Sequence, residues 1–501
     1  MQGEYIPGRE DGASLSPSTS RRVLLRHAVV AATGLSAAGL LAACGASAPA
    51  ATTTGSATAA AVTKAPATAS QASAATTSQA TAAALATTTT TATVSAKATT
   101  SAAPKANVAK GKVWMTYWGS TADDQYMNAI GGSFTKASGA AVTAQNVPGD
   151  YVGTITTFLA AGTAPDVAVF TNDMVPELLR QSAFTDMQPL IGRDKLDTSD
   201  FVPAALKAYQ YKGGLFALPK NFHSYAIWYN IDSFQQAALQ PPTAAWTLDS
   251  YLEASQKLTN TSRGTFGTTM PVSQFTEPWI WLDSGDIVDN PDNVTKITFS
   301  NAKTVQALQW LADLRTKYHV TPTAAESAAD KGDTNMFYNG KIGMYPYLYV
   351  EGRVAAFAKG FTWDVGPMPT GPDGQHATVI ATGGYFLPKG SANPDLGWQF
   401  VKSATSVDSM KQDAKIGIGI PARLSAATWP EFQAGPPKNK NVFIDQAKYG
   451  RLGPVFLGVG PVLGAAWKAL APLFAGASTA ADAVAKADAA ANAELQKYVG
   501  K

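Results

Sequence analysis

Gly162-Thr163-Ala164-Pro165-Asp166-Val167-Ala168-Val169-Phe170 is the stretch whose reading decides the fold. Its first four residues have turn chemistry, and Val167 to Phe170 is a short apolar run of the kind a buried parallel strand shows. Just upstream, Tyr151 to Ala161 reads as a helix and Ala141 to Val147 as a strand. Asp123 to Ala137 puts Met127, Ile130 and Phe134 on one helical face, and Lys112 to Trp118 reads as a first strand. The order is β-α-β-α-β. It predicts an α/β sheet with right-handed crossovers and ligands outside the carboxyl ends of its strands, here Trp118 and Thr171 to Asp173.

Downstream, Tyr225 to Asn230, Gly340 to Tyr345, Trp363 to Gly366 and Ala381 to Leu387 are further strands, with helices between them. Asn393, Pro394 and Asp395 supply an N-cap, a proline at the first helical position and an acid in the first turn. Asn301 to Lys317 carries Val305, Leu308, Ala312 and Leu314 at helical spacing, and Thr479 to Tyr498 is an Ala-rich final helix opened by Thr479 with Asp482 three residues on. Nothing repeats with a period of 20 to 50 residues, which excludes a solenoid.

Upstream of Gly111 the composition changes. Tyr5 is the only Phe, Trp or Tyr before Lys112, and Gly45 to Lys110 is almost entirely Ala, Thr and Ser. Such a segment buries too little apolar surface to offset its ordering entropy, so residues 45–110 read as a disordered tether. Residues 1–44 read as an export signal: Arg21 and Arg22 precede a mildly apolar, Gly-broken stretch, Ala28 to Ala43, too short and dilute for a spanning helix. The paired arginines resemble the twin-arginine class. Cys44, the only cysteine of the 501 residues, follows Leu41-Ala42-Ala43 directly. That stretch resembles a bacterial lipobox, whose cysteine carries diacylglycerol; two chains give stable membrane anchoring where one would be marginal. The expectation is a lipid-anchored protein on the extracellular face of the cytoplasmic membrane.

Removing residues 1–44 takes away four Arg and three acidic residues and leaves a net charge of +2. A near-neutral chain is a poor partner for nucleic acid or for a polyanion. Without a second cysteine no intrachain disulfide forms, so packing must hold the fold outside the cell. There is no His-Glu-x-x-His, no Gly-x-Ser-x-Gly and no phosphate-cradling loop. Gly458-Val459-Gly460 followed by Gly464 has the wrong spacing for a dinucleotide loop and reads as an ordinary loop. Four histidines, one of them His27 in the signal, support no metal site. No cofactor is expected. Glycosidases need only two carboxylates, and Asp166, Asp173, Asp283 and Glu351 are available. An exported glycan-degrading enzyme is therefore the alternative reading, and a tethered adhesin a third. With no catalytic signature around these acids, binding is the default.

At Gly162 to Phe170 the chain resembles the family 1 extracellular solute-binding proteins of carbohydrate ABC importers. The likeness continues in order through Gly214 to Pro219 with Ala226 to Asn230, Trp246 to Asp249 with Leu258 and Thr259, and Phe337 to Met344. It closes with Asp364 to Pro369, then Gly383-Gly384-Tyr385 and Pro394 to Phe400. Each motif alone is weak; their order across Gly111 to Lys501 is specific. The resemblance implies an α/β, two-lobed, periplasmic-binding-protein-like fold, each lobe a sheet flanked by helices, joined by a multi-strand hinge. Lobe 1 would comprise 111–221 plus 378–421, and lobe 2 222–377 plus 422–501. It further implies a monomer that captures a small solute, a sugar or short oligosaccharide, and hands it to permease subunits of an ABC importer.

Sugar sites pair flat aromatic rings with side chains that form directional hydrogen bonds. Candidates are Trp118 after the first strand, Asn172 and Asp173 after the third, and Asn221 with His223 at the first crossing between lobes. From lobe 2 come Trp279, Trp281 and Asp283, then Tyr347 and Glu351. Gly383, Gly384 and Tyr385 mark the return crossing, where glycines let backbone approach a ligand, and Arg423 follows the Ile420-Pro421 turn. An alternating strand would put Trp279 and Trp281 on one face, either side of Ile280. Trp228 and Trp310 fall on strong apolar periodicities and are assigned to packing, and Asp166 to fixing the end of its strand.

Overall fold

The computed structural model describes residues 111–270, 275–349, 354–355 and 357–499. The expected signal with Arg21, Arg22 and Cys44, the tether 45–110, and Glu351 lie outside them.

The first three strands form as the sequence pattern requires. β1 (Lys112–Tyr117) lies between β2 (Ala141–Asn146) and β3 (Val167–Thr171) and is parallel to both. The crossovers are α1 (Thr121–Ser138) and α2 (Tyr151–Ala160). Asp123 opens α1 by accepting the Ser120 N–H at 2.8 Å, and Gly139 closes it at φ 76, a left-handed conformation that glycine takes without a Cβ clash. Met127, Ile130 and Phe134 are buried, as their spacing predicts.

A small hairpin, β4 (Gln210–Tyr211) with β5 (Gly214–Leu215), leads into the longest strand, β6 (Ala217–Asn230). The strand begins eight residues before the expected start at Tyr225 and runs through Pro219, a residue that cannot donate to a ladder. Pro219 is tolerated because β6 is bulged there: Gly383 pairs with Asn221 and Gly384 with Pro219, so Lys220 is the extra residue. β7 (Phe266–Thr268), β8 (Ile342–Leu348), β9 (Trp363–Gly366), β10 (Thr378–Phe386), β11 (Ile420–Pro421) and β12 (Gly450–Leu452) complete one ten-stranded sheet, ordered β2-β1-β3-β10-β6-β8-β7, with β9 and β11 also on β6 and β12 on β10. β10 runs antiparallel to both β3 and β6.

β6 exchanges partners along its length. Residues 217–224 pair with β10; from Tyr225 onward the strand pairs with β8 and β9 instead. The apolar cores follow the same division. One gathers Val113, Met115, Phe134, Phe170, Phe386, Trp398 and Phe400. A second lies around Tyr225, Trp279, Leu308, Leu311, Leu470 and Val484, and a third around Trp228, Tyr345, Trp363 and Phe443. The last also takes in Val202, Phe222 and Ala414, so it bridges the two halves of β6.

The helix Ala480–Leu495 is capped by Thr479 as expected, and the helix Ala302–Thr316 by Asn301. Asn393 differs. It occupies the cap position of the helix Pro394–Ala404, but its side chain makes no capping bond; its own N–H is held by Asp166 and Ser391. Gly458 opens the helix Val459–Phe474 at φ 78, so Gly460 and Gly464 are helical rather than part of a loop. Among the described residues no helix is long and apolar enough to cross a membrane.

Candidate functional site

Strand ends from both halves of the sheet converge on the middle of β6. Thr171, the last residue of β3, pairs with Gly383, while Asn221 and His223 pair with Gly383 and Ala381. Two residues beyond His223, Tyr225 pairs with Leu348, the last residue of β8, and Ala226 with Tyr347. β7 is parallel to β8, so the segment leading from β7 to Phe275 and Glu277 leaves from the same end. With strands about 4.8 Å apart, the carboxyl ends of β3 and β8 bracket one stretch of β10 and β6, with β7 beyond β8. In open α/β sheets this is where ligands bind.

Five of the expected residues stand around that stretch. Trp118 is half-buried after β1, against the first core. Asn172 is buried, its Oδ1 accepting the Thr382 N–H at 3.2 Å, and Asp173 beside it is exposed. His223 is half-buried with Nδ1 3.0 Å from the Tyr349 carbonyl, which ties β6 to the end of β8. Tyr347 is half-buried, its ring 5.0 Å from Tyr345 and nearly parallel to it, and 5.3 Å from Phe275 edge-on.

Other expected residues are turned to different tasks. Asn221 is buried, and its Nδ2 is directed under the sheet to Asp413 Oδ2 at 3.4 Å. A Cβ on Gly384 would lie 2.7 Å from the Tyr209 ring, so this glycine serves close packing of β10 on Tyr209. On Gly383 a Cβ would come 3.2 Å from Asn221 Oδ1. Tyr385 is fully buried, with its hydroxyl 3.0 Å from that of Tyr126.

The segment carrying Trp279 and Trp281 is a helix, Glu277–Leu282, rather than an alternating strand. Pro278 sits in its first turn, where a missing N–H costs nothing. Trp279 is 2 % exposed, between Tyr251 at 5.1 Å and Trp310 at 5.6 Å, and Trp281 is covered by the Arg451 guanidinium at 4.4 Å. Both are core residues. Asp283 ends that helix, buried 3.8 Å from Lys303, and burial raises its carboxyl above the usual range. Arg423 is engaged throughout: Nε donates to the Thr405 carbonyl at 2.6 Å, both terminal nitrogens to that of Asp197 at 3.3 Å, and the guanidinium lies 4.1 Å over the Phe201 ring. Trp228 and Trp310 pack as assigned.

Glu277 was not among the candidates. It is buried at the start of its helix, and its Oε2 has no hydrogen-bond partner among the described residues. Burial, with the Asp286 carboxylate nearby, pushes it up to about 8, so it holds a proton at neutral pH. The Glu-Pro pair directly before the two tryptophans was the available signal, because a burial-prone apolar run seldom opens on an acid without reason. A surface groove of about 420 Å³, lined by Met127, Gly131, Thr135 and Val142 among others, lies between α1 and β2, away from the strand ends. It lacks the converging polar groups of the β6 site.

Comparison with known proteins agrees with this architecture. Residues 129–440, more than half of the chain, match the family model of bacterial extracellular solute-binding proteins. The chain belongs to this family. A maltotriose-binding protein of Pyrococcus abyssi is 22% identical over 285 residues, 56% of this chain and 59% of that protein's length. Among solved structures, this solute-binding protein superimposes on an ABC substrate-binding protein from Listeria monocytogenes in complex with cycloalternan, with a TM-score of 0.68 and 22% identity over 77% of this chain and 99% of the other. A cyclic α-maltosyl-1,6-maltose binding protein from Arthrobacter globiformis gives a TM-score of 0.67 at 20% identity, with the same coverage. The neighbouring proteins are two-lobed, and the α/β fold class read from the opening βαβαβ order is the one found.

Proposed function

We propose that this solute-binding protein captures a sugar or short oligosaccharide where the ends of β3 and β8 flank β10 and β6, and delivers it to an ABC importer. The reading is supported by Phe275, whose ring meets Tyr347 edge-on at 5.3 Å past the end of β8, by Trp118 and Asp173, which follow β1 and β3, and by the buried acid Glu277 two residues after Phe275. A ring's face takes the C–H side of a sugar, and a carboxyl takes its hydroxyls. Protonated, Glu277 can donate as well as accept. Relatives that bind maltotriose and cyclic glucans support the same ligand class.

Binding rather than hydrolysis is favoured by the commitments of the acids. Both oxygens of Asp166 serve main-chain and serine donors, and Asp283 faces Lys303. Lobe 1 is taken as 111–221 plus 378–421 and lobe 2 as 222–377 plus 422–501, in keeping with the partner exchange of β6. Cys44 is the lipid anchor, Arg21 and Arg22 the export signal, and Glu351, following β8, a further ligand contact. Permease subunits supply the membrane path and the nucleotide chemistry.

Titration against mono- and oligosaccharides, followed by tryptophan fluorescence and calorimetry, tests the ligand class. Saturable binding of at least one sugar is expected. Silence toward every sugar together with binding of another solute class would refute it.

A further inference from the structure

β2 forms one edge of the large sheet, and its outer side is open. The Ala141 N–H donates inward to the Gly111 carbonyl and the Val147 N–H to that of Tyr117, so by strand alternation the main chains of Thr143 and Gln145 also face β1. Those of Val142, Ala144 and Asn146 face outward and make no hydrogen bond among the described residues. Edge strands are ordinarily guarded by a lysine, a proline or a bulge. β2 reads Ala-Val-Thr-Ala-Gln-Asn and keeps an unbroken register with β1, so it carries none of these guards. Beside it, two consecutive glycines on α1 open the groove described above. Gly131 is needed, since a Cβ there would lie 3.2 Å from Val142 Cγ1. Gly132 is exposed, and a Cβ on it would meet nothing within 4 Å. Glycine inside a helix is destabilising relative to alanine, and no neighbour within the described chain calls for this one.

We propose that β2 pairs antiparallel with β2 of a second copy of this chain, joining the two sheets across a two-fold axis at Ala144. In that register Ala144 faces Ala144 of the partner subunit, and Val142 faces Asn146 of the partner subunit. Each facing pair exchanges two main-chain bonds, so every outward N–H and C=O of the edge is satisfied. The charges at the two ends of the edge fit the same register. Lys136 lines the groove with Val142, and at the other end Asp124 accepts the Asn146 side-chain amide at 2.8 Å. Antiparallel pairing brings each Lys136 toward Asp124 of the partner subunit, twice by symmetry. Parallel pairing would set like charges together and would not close on itself. A two-fold axis normal to the sheet keeps both α1 helices on one face, where Gly132 leaves room for their approach. The sheet order is β2-β1-β3-β10-β6, so this contact leaves the surroundings of β10 and β6 uncovered. The inference goes beyond the solute-binding reading and does not rest on it, and it puts a dimer in place of the monomer that the family resemblance implies.

The test uses the full-length chain with Cys44→Ser, which removes the only thiol and with it any disulfide-linked dimer. Sedimentation velocity over a concentration series should show a monomer–dimer equilibrium with a Kd on the order of 10 μM, because a six-residue edge is smaller than a standard interface. Where the dimer forms, amide exchange should slow at Val142, Ala144 and Asn146, while Thr143 and Gln145 are protected at every concentration. G132Q should raise Tm, since glutamine is the better helix former and meets no neighbour, yet weaken the dimer about tenfold. A144P removes an outward N–H and no bond to β1, and should weaken the dimer about tenfold as well. If A144P does not fold, A144K takes its place by setting like charges face to face on the axis. K136E should weaken the dimer about fivefold, and less at high salt. The proposal is overturned by a chain that stays monomeric to about 0.5 mM, or by a dimer that any one of G132Q, K136E and the Ala144 variant leaves as tight as wild type. Sugar titrations of the variants should match wild type, and silence toward every sugar in wild type and variants alike would bear on the ligand reading alone.

Discussion

Asp166 closes the first βαβαβ unit by holding Asn393, 227 residues away in sequence, through the Asn393 N–H at 3.1 Å from its Oδ1. The same oxygen accepts from Ser391 Oγ at 2.6 Å, and Oδ2 accepts the Trp114 N–H at 2.8 Å. One carboxylate thus fixes β1, the entry to β3 and the start of the helix Pro394–Ala404.

Because Asp166 is 2 % exposed, its removal leaves three donors without a partner. D166A should cost about 3 kcal/mol of stability. D166N should also cost, since its amide puts a donor where an acceptor is needed. Urea denaturation measures both, and sugar affinity of the folded fraction should not change.

The role of Asp166 was legible in the sequence because the Pro-Asp pair abuts a short apolar strand. The opening β-α-β-α-β was legible for a related reason: helical and strand periodicities alternate there with turn residues between them. Trp279 and Trp281 were misread because spacing of two suits a strand, whereas the segment is barely two turns of helix whose every side chain is buried, leaving no amphipathic period to detect. Long-range partners were invisible as well. Arg423 is held by Thr405 and Asp197 carbonyls, and a main-chain acceptor carries no side-chain signature. Glu277 was missed because burial of an acid is a property of what surrounds it.

Glu277 makes stability depend on pH. Its carboxyl is raised from 4.5 to about 8, chiefly by burial, so between those values the folded protein keeps a proton that the unfolded chain gives up. Stability is therefore full below about pH 4.5, falls as pH rises, and levels off above about 8. E277Q should remove this contribution: equal to wild type near pH 4, and more stable at pH 9 by something on the order of 4 kcal/mol. Parallel curves for the two proteins would mean that another group titrates.

Trp279 and Tyr347 separate core from site. Truncating Trp279 opens a cavity between Tyr251 and Trp310, and W279A should cost about 3–5 kcal/mol. Tyr347 is half-buried beside Tyr345 and Phe275, so Y347A should cost far less stability yet weaken sugar binding roughly tenfold, as loss of one stacking face does. Thermal melts beside calorimetric titrations distinguish the two. Unaltered affinity in Y347A would remove Tyr347 from the site.

Arg423 tests the opposite case, a residue expected at the ligand that the fold uses elsewhere. Its guanidinium reaches the Thr405 and Asp197 carbonyls, lies 3.6 Å from Asp200, and covers Phe201. Burial lowers its pKa while Asp200 opposes that shift, and a guanidinium stays charged at any physiological pH. R423A would leave the Asp200 carboxylate without its partner and two carbonyls without donors, a loss of about 3 kcal/mol. R423K should recover only part of it, since an ammonium is a point charge and cannot span both carbonyls while stacking on a ring. Both variants should bind sugar with wild-type affinity at temperatures where they remain folded. A weakened affinity in folded R423K would return Arg423 to the ligand.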